Sequence, residues 1–544
     1  MLFSKKINFA LFLLLFFSLS AYAQPISDNQ DVVSQFNSDV TLLDRVQLSP
    51  SGYIAAPDTS RGLSEPVNTT PRLLNLKYEP PTIRPIAMKK NPPKPDFPFW
   101  AKVGYGIPNQ PYAELSYQSK TNKYGYFGAY GKWHSADNSA LTYQKFNNLA
   151  IQLNGAYYVD TIATVQARAG FEQDGVNFYG YNHADTSLHY TLDNTAQAFN
   201  KVFANLAVFN TKSNENDFHY KGGIDFYTVS DKFKSQETGV TGEVSATKFF
   251  SKKHPFTLVI RDEYSGFVNN DTAKQNVNIL SFAPSFTFIE GAFRGKAGAN
   301  LQFSAGRFIP NPDIEFMYSF SDAAIIFGGW QGAVRRNNFE SLRQINPFML
   351  SKPSLKNSHY ENRYLGVKGK VDVFNYELQA YNQPIQNMPM FINNIGGDDR
   401  RFTVAYDTIN VWGGHIGFGY KPSKVFDVSL SGDYRSFNKT VYHLPNVDAT
   451  LAAKYAFNEV LNLRFAVYTA IGSKAIDTQT KPLSLQTITL APMFDLNLGA
   501  DYKFNDNISA FLDLNNILNQ KYQRLNGYQA YGFNLIGGVM FKFK

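Results

Sequence analysis

The chemistry-bearing residues of this chain come as small groups of charged side chains. Gly396-Gly397-Asp398-Asp399-Arg400-Arg401 follows the apolar run Met388-Pro389-Met390-Phe391-Ile392. Neighbouring carboxylates beside glycines could offer hard oxygen ligands to calcium, in a segment folded inward or against a partner. A glycine turn closed by local ion pairs is the simpler reading. Arg335 and Arg336 open another long segment, and Arg168 and Arg464 lie in regularly alternating stretches. Lining a water-filled path, these arginines would favour anionic solutes. Paired with carboxylates such as Glu172 and Asp433, they would instead be ordinary ladder partners. His183 and His189 share a segment with Asp185 and could in principle hold a metal, but histidines and aspartates of surface loops are usually just solvated. There is no Gly-x-Ser-x-Gly elbow, no His-Glu-x-x-His helix and no glycine-rich phosphate loop ahead of a helix. The expectation is a protein that is not an enzyme and needs no metal or cofactor.

The elements that carry these residues are strands. Leu149, Ile151, Leu153, Gly155, Tyr157 and Val159 alternate with Ala150, Gln152, Asn154, Ala156, Tyr158 and Asp160. Val165, Ala167, Ala169 and Phe171 alternate with Gln166, Arg168, Gly170 and Glu172, and Leu461, Leu463, Phe465 and Val467 with Asn462, Arg464, Ala466 and Tyr468. Period two puts one set on each face of a strand. A face bearing Arg, Glu and Asn cannot be a dry core, whereas lipid on one side and water on the other would satisfy both. The composition agrees: 44% hydrophobic overall but 15% aromatic, with 47 Phe and 33 Tyr. Aromatic enrichment without long apolar runs is the weak signature of membrane barrels with interfacial girdles; a large soluble β-sandwich or propeller is the rival.

The start of the chain is different. Lys5 and Lys6, the apolar run 9–19 and Ala21-Tyr22-Ala23 read as a secretory signal over residues 1–23. There is no cysteine, which excludes disulfides and lipid attachment at a cysteine. The formal net charge of +8 falls to +6 when Lys5 and Lys6 leave with the signal, and it gives no ground for a nucleic-acid partner. Residues 24–96, with Pro80-Pro81, Pro85, Pro92-Pro93 and Pro95, read as a proline-rich periplasmic linker. The barrel then occupies 97–544.

Connections take turns between short and long. Short ones fall at 119–123, 160–162, 212–216, 251–254, 290–292, 319–323, 372–374, 421–424, 457–459 and 504–507, several beside an aromatic such as Tyr420, Tyr455 or Tyr502. Longer segments fall at 135–146, 174–196, 335–359, 382–399, 438–446, 472–486 and 519–530. Ten short turns, flanked by a first and a last strand, predict about twenty-two strands with both termini periplasmic. The last strand should run from Tyr531, with Phe533, Leu535, Val539, Phe541 and Phe543 on its apolar face, and should close the barrel against a strand near 99–106.

Leu512-Asp513-Leu514-Asn515-Asn516-Ile517-Leu518-Asn519-Gln520-Lys521-Tyr522, followed by a strand ending Phe541-Lys542-Phe543, resembles the closing hairpin of TonB-dependent receptors, which have twenty-two strands. Ile83-Arg84-Pro85-Ile86-Ala87-Met88-Lys89, Ala101-Lys102-Val103-Gly104-Tyr105-Gly106, Pro111-Tyr112-Ala113-Glu114 and Phe178-Tyr179-Gly180-Tyr181-Asn182 resemble a Bacteroidota-type group of such barrels with a very short N-terminal part. The resemblance implies a Gram-negative outer-membrane location, contact with outer-membrane lipid, and insertion by the barrel-assembly machinery through the aromatic-ended last strand. Lys544 adds one residue to the usual terminal aromatic. The family's folded plug domain does not fit residues 24–96, which are too few and too rich in proline. The nearest candidate for a TonB-contact box, Asp39-Val40-Thr41-Leu42-Leu43, reads better as an amphipathic piece of linker, so uptake by pulling a plug does not carry over. Two readings lead, a third, a barrel-embedded hydrolase, having no visible catalytic constellation behind it. One is a channel or transporter component whose lumen is closed by loops or by a partner such as a surface lipoprotein. The other is a structural or assembly subunit of a larger outer-membrane complex.

Overall fold

The computed structural model describes residues 98–543 apart from 160–161, 184–187, 211–216, 272, 396 and 478–485. The export signal, the proline-rich segment, residues 39–43 and 83–89, Asp185, Gly396 and Lys544 lie outside the described residues.

Twenty-two strands form one closed antiparallel sheet. In chain order they are β1 (Phe99–Ile107), β2 (Gln110–Gln118), β3 (Gly125–Asn138), β4 (Gln144–Val159), β5 (Ala163–Asn177), β6 (Ala196–Asn210), β7 (Phe218–Asp231), β8 (Gln236–Phe250), β9 (His254–Val268), β10 (Lys274–Glu290), β11 (Phe293–Ser304), β12 (Arg307–Ser321), β13 (Ala324–Arg335), β14 (Ser358–Val371), β15 (Phe374–Asn393), β16 (Phe402–Tyr420), β17 (Phe426–Phe437), β18 (Val447–Ala456), β19 (Leu461–Ile471), β20 (Met493–Lys503), β21 (Ile508–Asn515) and β22 (Asn534–Phe543). Each pairs with its sequence neighbours, and β22 pairs with β1 in unbroken register from Phe99↔Phe543 to Ile107↔Leu535. Closure removes both sheet edges, which hydrocarbon would not tolerate unpaired. At the seam the two backbones approach closely: a Cβ on Gly538 would lie 2.1 Å from the Val103 carbonyl oxygen. Among the described residues, helix is confined to α1 (Leu192–Thr195) and α2 (Phe339–Ile345).

The faces follow the alternation. Ile151, Leu153 and Tyr157 on β4, Ile416 and Phe418 on β16, and Phe541 and Phe543 on β22 are exposed on the outer wall. One rim carries a run of outward aromatic contacts, with Phe374 stacked on Tyr420 at 4.6 Å, Tyr420 near Phe426, Phe426 near Tyr455 and Tyr502 against Phe504. Nearer the other rim stand exposed Trp133, Trp330 and Trp412. From Trp412 to Tyr420 the strand climbs about 20 Å, taking ~3.3 Å per residue and a tilt of roughly 40°, close to the height of an outer-membrane hydrocarbon layer. This closed barrel with an apolar outer belt is an outer-membrane barrel.

The short connections gather at the aromatic-contact rim, where β1 begins and β22 ends. The other rim departs from expectation in three ways. Segments 135–146 and 382–399 are mostly strand, because β3, β4 and β15 continue past the point where apolar alternation stops. Backbone pairing needs no lipid, so strands outrun the belt. Some connections at this rim are also as short as 108–109 and 305–306. Finally, β22 begins at Asn534; Tyr531 turns inward instead, 5% exposed, its hydroxyl donating to the Gln144 carbonyl at 3.0 Å and its ring edge-on to Phe146.

Candidate functional site

The lumen wall carries a ladder of paired charges. Arg464 on β19 donates to Asp501 at 2.9 Å and to Asp513 at 2.9 Å, and Lys296 on β11 lies 2.8 Å from Asp313 and 3.7 Å from Glu315. Glu172 pairs with Lys201 at 3.3 Å, and Asp433 lies 3.2 Å from His415 and 3.7 Å from Arg435. Glu172 and Asp433 thus have basic partners, though not Arg168 or Arg464. Arg168 lies over the Phe203 ring at 5.4 Å, and its buried Nε has no hydrogen-bond partner among the described residues. Arg335 sits over Tyr360 at 5.2 Å, and Arg336 reaches the Tyr264 carbonyl at 3.4 Å.

Inside the long-loop rim, the described residues of connections 178–195, 336–357, 394–401 and 516–533 pack into a hydrophobic core. Phe178, Phe348, Phe402 and Tyr528 meet there with Phe199, Val229 and Phe267 from the strand ends. The Phe348 and Tyr528 rings stack at 3.5 Å, and Tyr179 meets Tyr528 edge-on at 4.9 Å. Burying a large ring of this kind contributes roughly 1.5–3 kcal/mol, so the loops hold together as a soluble protein core would.

Residues 397–401 border this core, with Arg400 and Arg401 laid against aromatic rings. Asp398 takes a two-point bond from Arg400 at 2.7 and 3.0 Å, the local ion pair of the simpler reading. Burial opposes the Arg400 charge, but that bond more than offsets it and holds the guanidinium above its usual range. The Arg400 guanidinium covers Tyr190 at 3.9 Å, and its carbonyl accepts from the Tyr528 hydroxyl. Arg401 is held between Phe178 and Phe233 at 4.9 and 4.4 Å and donates to Ser351 at 3.0 Å. Asp399 is not drawn into that pair; burial raises its pKa, as does neighbouring Asp398. His183 stacks on Tyr181 at 4.1 Å and bonds the Tyr179 carbonyl. Among the described residues no group of three or more His, Asp and Glu side chains is placed to hold a metal ion.

Sequence reasoning missed the contact between α2 and the wall. Asn338 caps the helix in a reciprocal box with Ser341, and the Glu237 carboxylate of β8 accepts from the backbone N–H groups of Phe339 at 2.6 Å and Glu340 at 3.2 Å. Glu340 then pairs with Arg343 and with Lys201 at 3.0 Å, and Arg343 with Asp174 at 2.8 Å. Burial works against the Glu340 carboxylate, yet Arg343 and Lys201 outweigh it and hold its pKa down to about 2. Two signals could have found this helix: the Asn338/Ser341 spacing, and the i, i+3 apolar row Phe339, Leu342, Ile345. In the neighbouring connection 438–446, His443 donates from Nδ1 to the Phe391 carbonyl at 3.0 Å, and burial pushes its pKa down to about 4.

No family model matches this sequence, and no curated protein matches it. Solved structures do. The FrpB iron transporter from Neisseria meningitidis superposes with a TM-score of 0.65 at 11% identity, covering 82% of this chain and 81% of that one. The siderophore receptor PirA from Acinetobacter baumannii gives 0.64 at 11% identity, with 82% and 80% covered, and a mutant of the ferric enterobactin receptor PfeA from Pseudomonas aeruginosa gives 0.63 at 10%, with 82% and 80%. What this chain has in common with these receptors and this transporter is the barrel fold.

Proposed function

We propose that this protein is a receptor-like outer-membrane barrel acting as a channel or transporter component, with its lumen closed from the long-loop side by its own connections. The observation that carries this reading is the loop core around Phe348 and Tyr528, which is tied to the lumen wall through α2. A barrel of this strand number is wide enough to need a filling, and the loop core stands where one would be required. Residues 1–23 act as the export signal and 24–96 as a periplasmic linker, which puts the short-turn rim and both termini in the periplasm. The assembly machinery reads the last strand with Phe541 and Phe543, and a surface lipoprotein or a larger complex meets the long-loop rim. The paired wall charges leave Arg168, Arg335 and Arg336 as the arginines nearest to anionic solutes.

Planar-bilayer recording tests this. The intact protein should be nearly silent, and a variant with 336–357 replaced by a short Gly-Ser linker should show stable large conductance. If the replaced variant, folded, remains silent while the intact protein co-purifies with partners in fixed stoichiometry, the structural-subunit reading replaces this one.

A further inference from the structure

The connection after α2 is held in an unusual way. From Ser351 to Lys356 the side chains alternate, with Ser351 and Pro353 buried and Lys352, Ser354 and Lys356 exposed. That is the pattern of an extended strand lying on a surface, yet residues 350–357 belong to no sheet. Their backbone is read on both edges by side chains. Gln275 of β10 donates to the Pro353 carbonyl at 2.8 Å and accepts from the Leu355 N–H at 2.9 Å. Tyr406 of β16 donates to the Ser354 carbonyl at 2.8 Å and accepts from the Lys356 N–H at 3.3 Å. In an extended chain the carbonyl of one residue and the N–H two residues on point to the same edge, and the next residue points to the other. One amide therefore recognises one edge, and one phenol the opposite edge.

The remaining contacts continue this. Ser235 donates to the Ser351 carbonyl and Asn337 to that of Lys356 at 2.8 Å. At the other end, the Phe402 N–H donates to the Phe348 carbonyl at 3.1 Å and its carbonyl accepts from the Leu350 N–H at 2.8 Å, a single parallel bridge at Met349, where Phe348 and Met349 are fully buried. Main-chain bonds that ignore side-chain identity, combined with pockets at alternate positions, are how proteins bind extended peptides.

We infer that the wall beneath residues 346–357 is a binding site for an extended peptide, and that this connection is its built-in occupant. The ligand would carry two large apolar residues followed by small residues or proline at alternate positions, with polar residues between them. A segment tethered at both ends holds such a site at high effective concentration, so a peptide from outside binds only when the tether yields. The inference rests on the reading that the loop core closes the lumen, and it adds what one part of that closure imitates. Conductance of the 336–357 replacement tests the closure; peptide binding tests the site.

The experiment uses the full chain in mild detergent with residues 346–357 replaced by Gly-Ser, and a fluorescent synthetic peptide of the native 346–357 sequence. Anisotropy should show saturable binding to the replaced variant and at least tenfold weaker binding to the intact protein. A scrambled peptide should bind at least tenfold more weakly, and Gln275→Ala combined with Tyr406→Phe in the replaced variant should lower affinity at least tenfold. Folding is checked by heat-modifiable electrophoretic mobility. If the replaced variant fails to fold, protease sites placed at 345/346 and 357/358 allow the folded barrel to be cut and the labelled peptide to be exchanged in. No binding to the folded or cut barrel overturns the inference, as does equal binding of the scrambled peptide or of the intact protein.

Discussion

The belt and the loop core use the same residues in opposite senses. In the belt, Leu153 and Phe418 face outward and charges such as Lys296 and Asp313 face inward in pairs. In the loop core, Phe348 and Phe402 face inward and charges such as Arg343 and Glu340 tie the core to the wall. The belt owes its order to a backbone ladder that closes on itself, so each side chain has only to suit its solvent. The loop core has only a short hairpin over residues 523–529 and one parallel bridge at Phe402, and depends mainly on side-chain packing and on a few buried ions. The two should therefore fail separately, and the loops first.

Several substitutions would break or sharpen that contrast. The largest effect is expected from Arg343→Met, which removes the guanidinium facing both Glu340 and Asp174 in a buried setting; the loss should be ~3–5 kcal/mol of loop stability. Hydrogen exchange should show it in α2 while the belt amides stay protected, and equal deprotection of the belt would refute the separation. Phe348→Ala empties a fully buried position and should cost about 3–5 kcal/mol, seen as faster proteolysis of 336–357 in a barrel whose heat-modifiable mobility is unchanged.

Acid should act on the loops in two stages. His443 is neutral when packed, with its pKa near 4 against an ordinary 6.5, so the released connection takes up a proton that the packed one refuses. Stability is lost as pH falls from about 6.5 towards 4, on the order of 3 kcal/mol for a shift of this size. Glu340, held near 2 against an ordinary 4.5, favours packing above its unfolded value and loses that contribution as pH falls from about 4.5 through 2. Limited proteolysis across pH should show both stages, and His443→Gln should remove only the upper one. If that variant keeps the upper stage, another group is responsible.

Leu153→Arg, mid-belt and 62% exposed to lipid, should cost ~2–4 kcal/mol in refolding equilibria from lipid vesicles and leave loop proteolysis alone. The smallest change belongs to Lys352→Ala, whose bond to Asp271 at 3.0 Å is exposed on both sides; ~0–1 kcal/mol is expected, and a larger loss would show that the segment is held by its side chains rather than its backbone.

The belt was legible because a strand between lipid and water repeats every two residues, so the alternation around Leu153 and Val467 and the ten short turns led directly to the strand number. What alternation could not give was the extent of β15 and β3 past the lipid, where pairing persists after the apolar signal ends. The loop core left no periodic trace. Phe178, Phe348, Phe402 and Tyr528 lie in four separate stretches, and only the folded barrel brings them together. The 396–401 segment stood out as unusual, but its partners Tyr190, Ser351 and Tyr528 are distant in sequence. Tyr531, placed on the lipid face by counting, shows how one residue outside a strand escapes the count.

The seam has a consequence for how the molecule is assembled. Phe99 stands opposite Phe543, so the first and last strands come from opposite ends of the chain. Every other strand pair joins sequence neighbours and can zip locally, but this one must wait until the whole sheet has curled round. Because the two ends meet side by side at one rim, a circular permutant that joins them and opens at another short turn should build the same barrel, with a different pair left to close last.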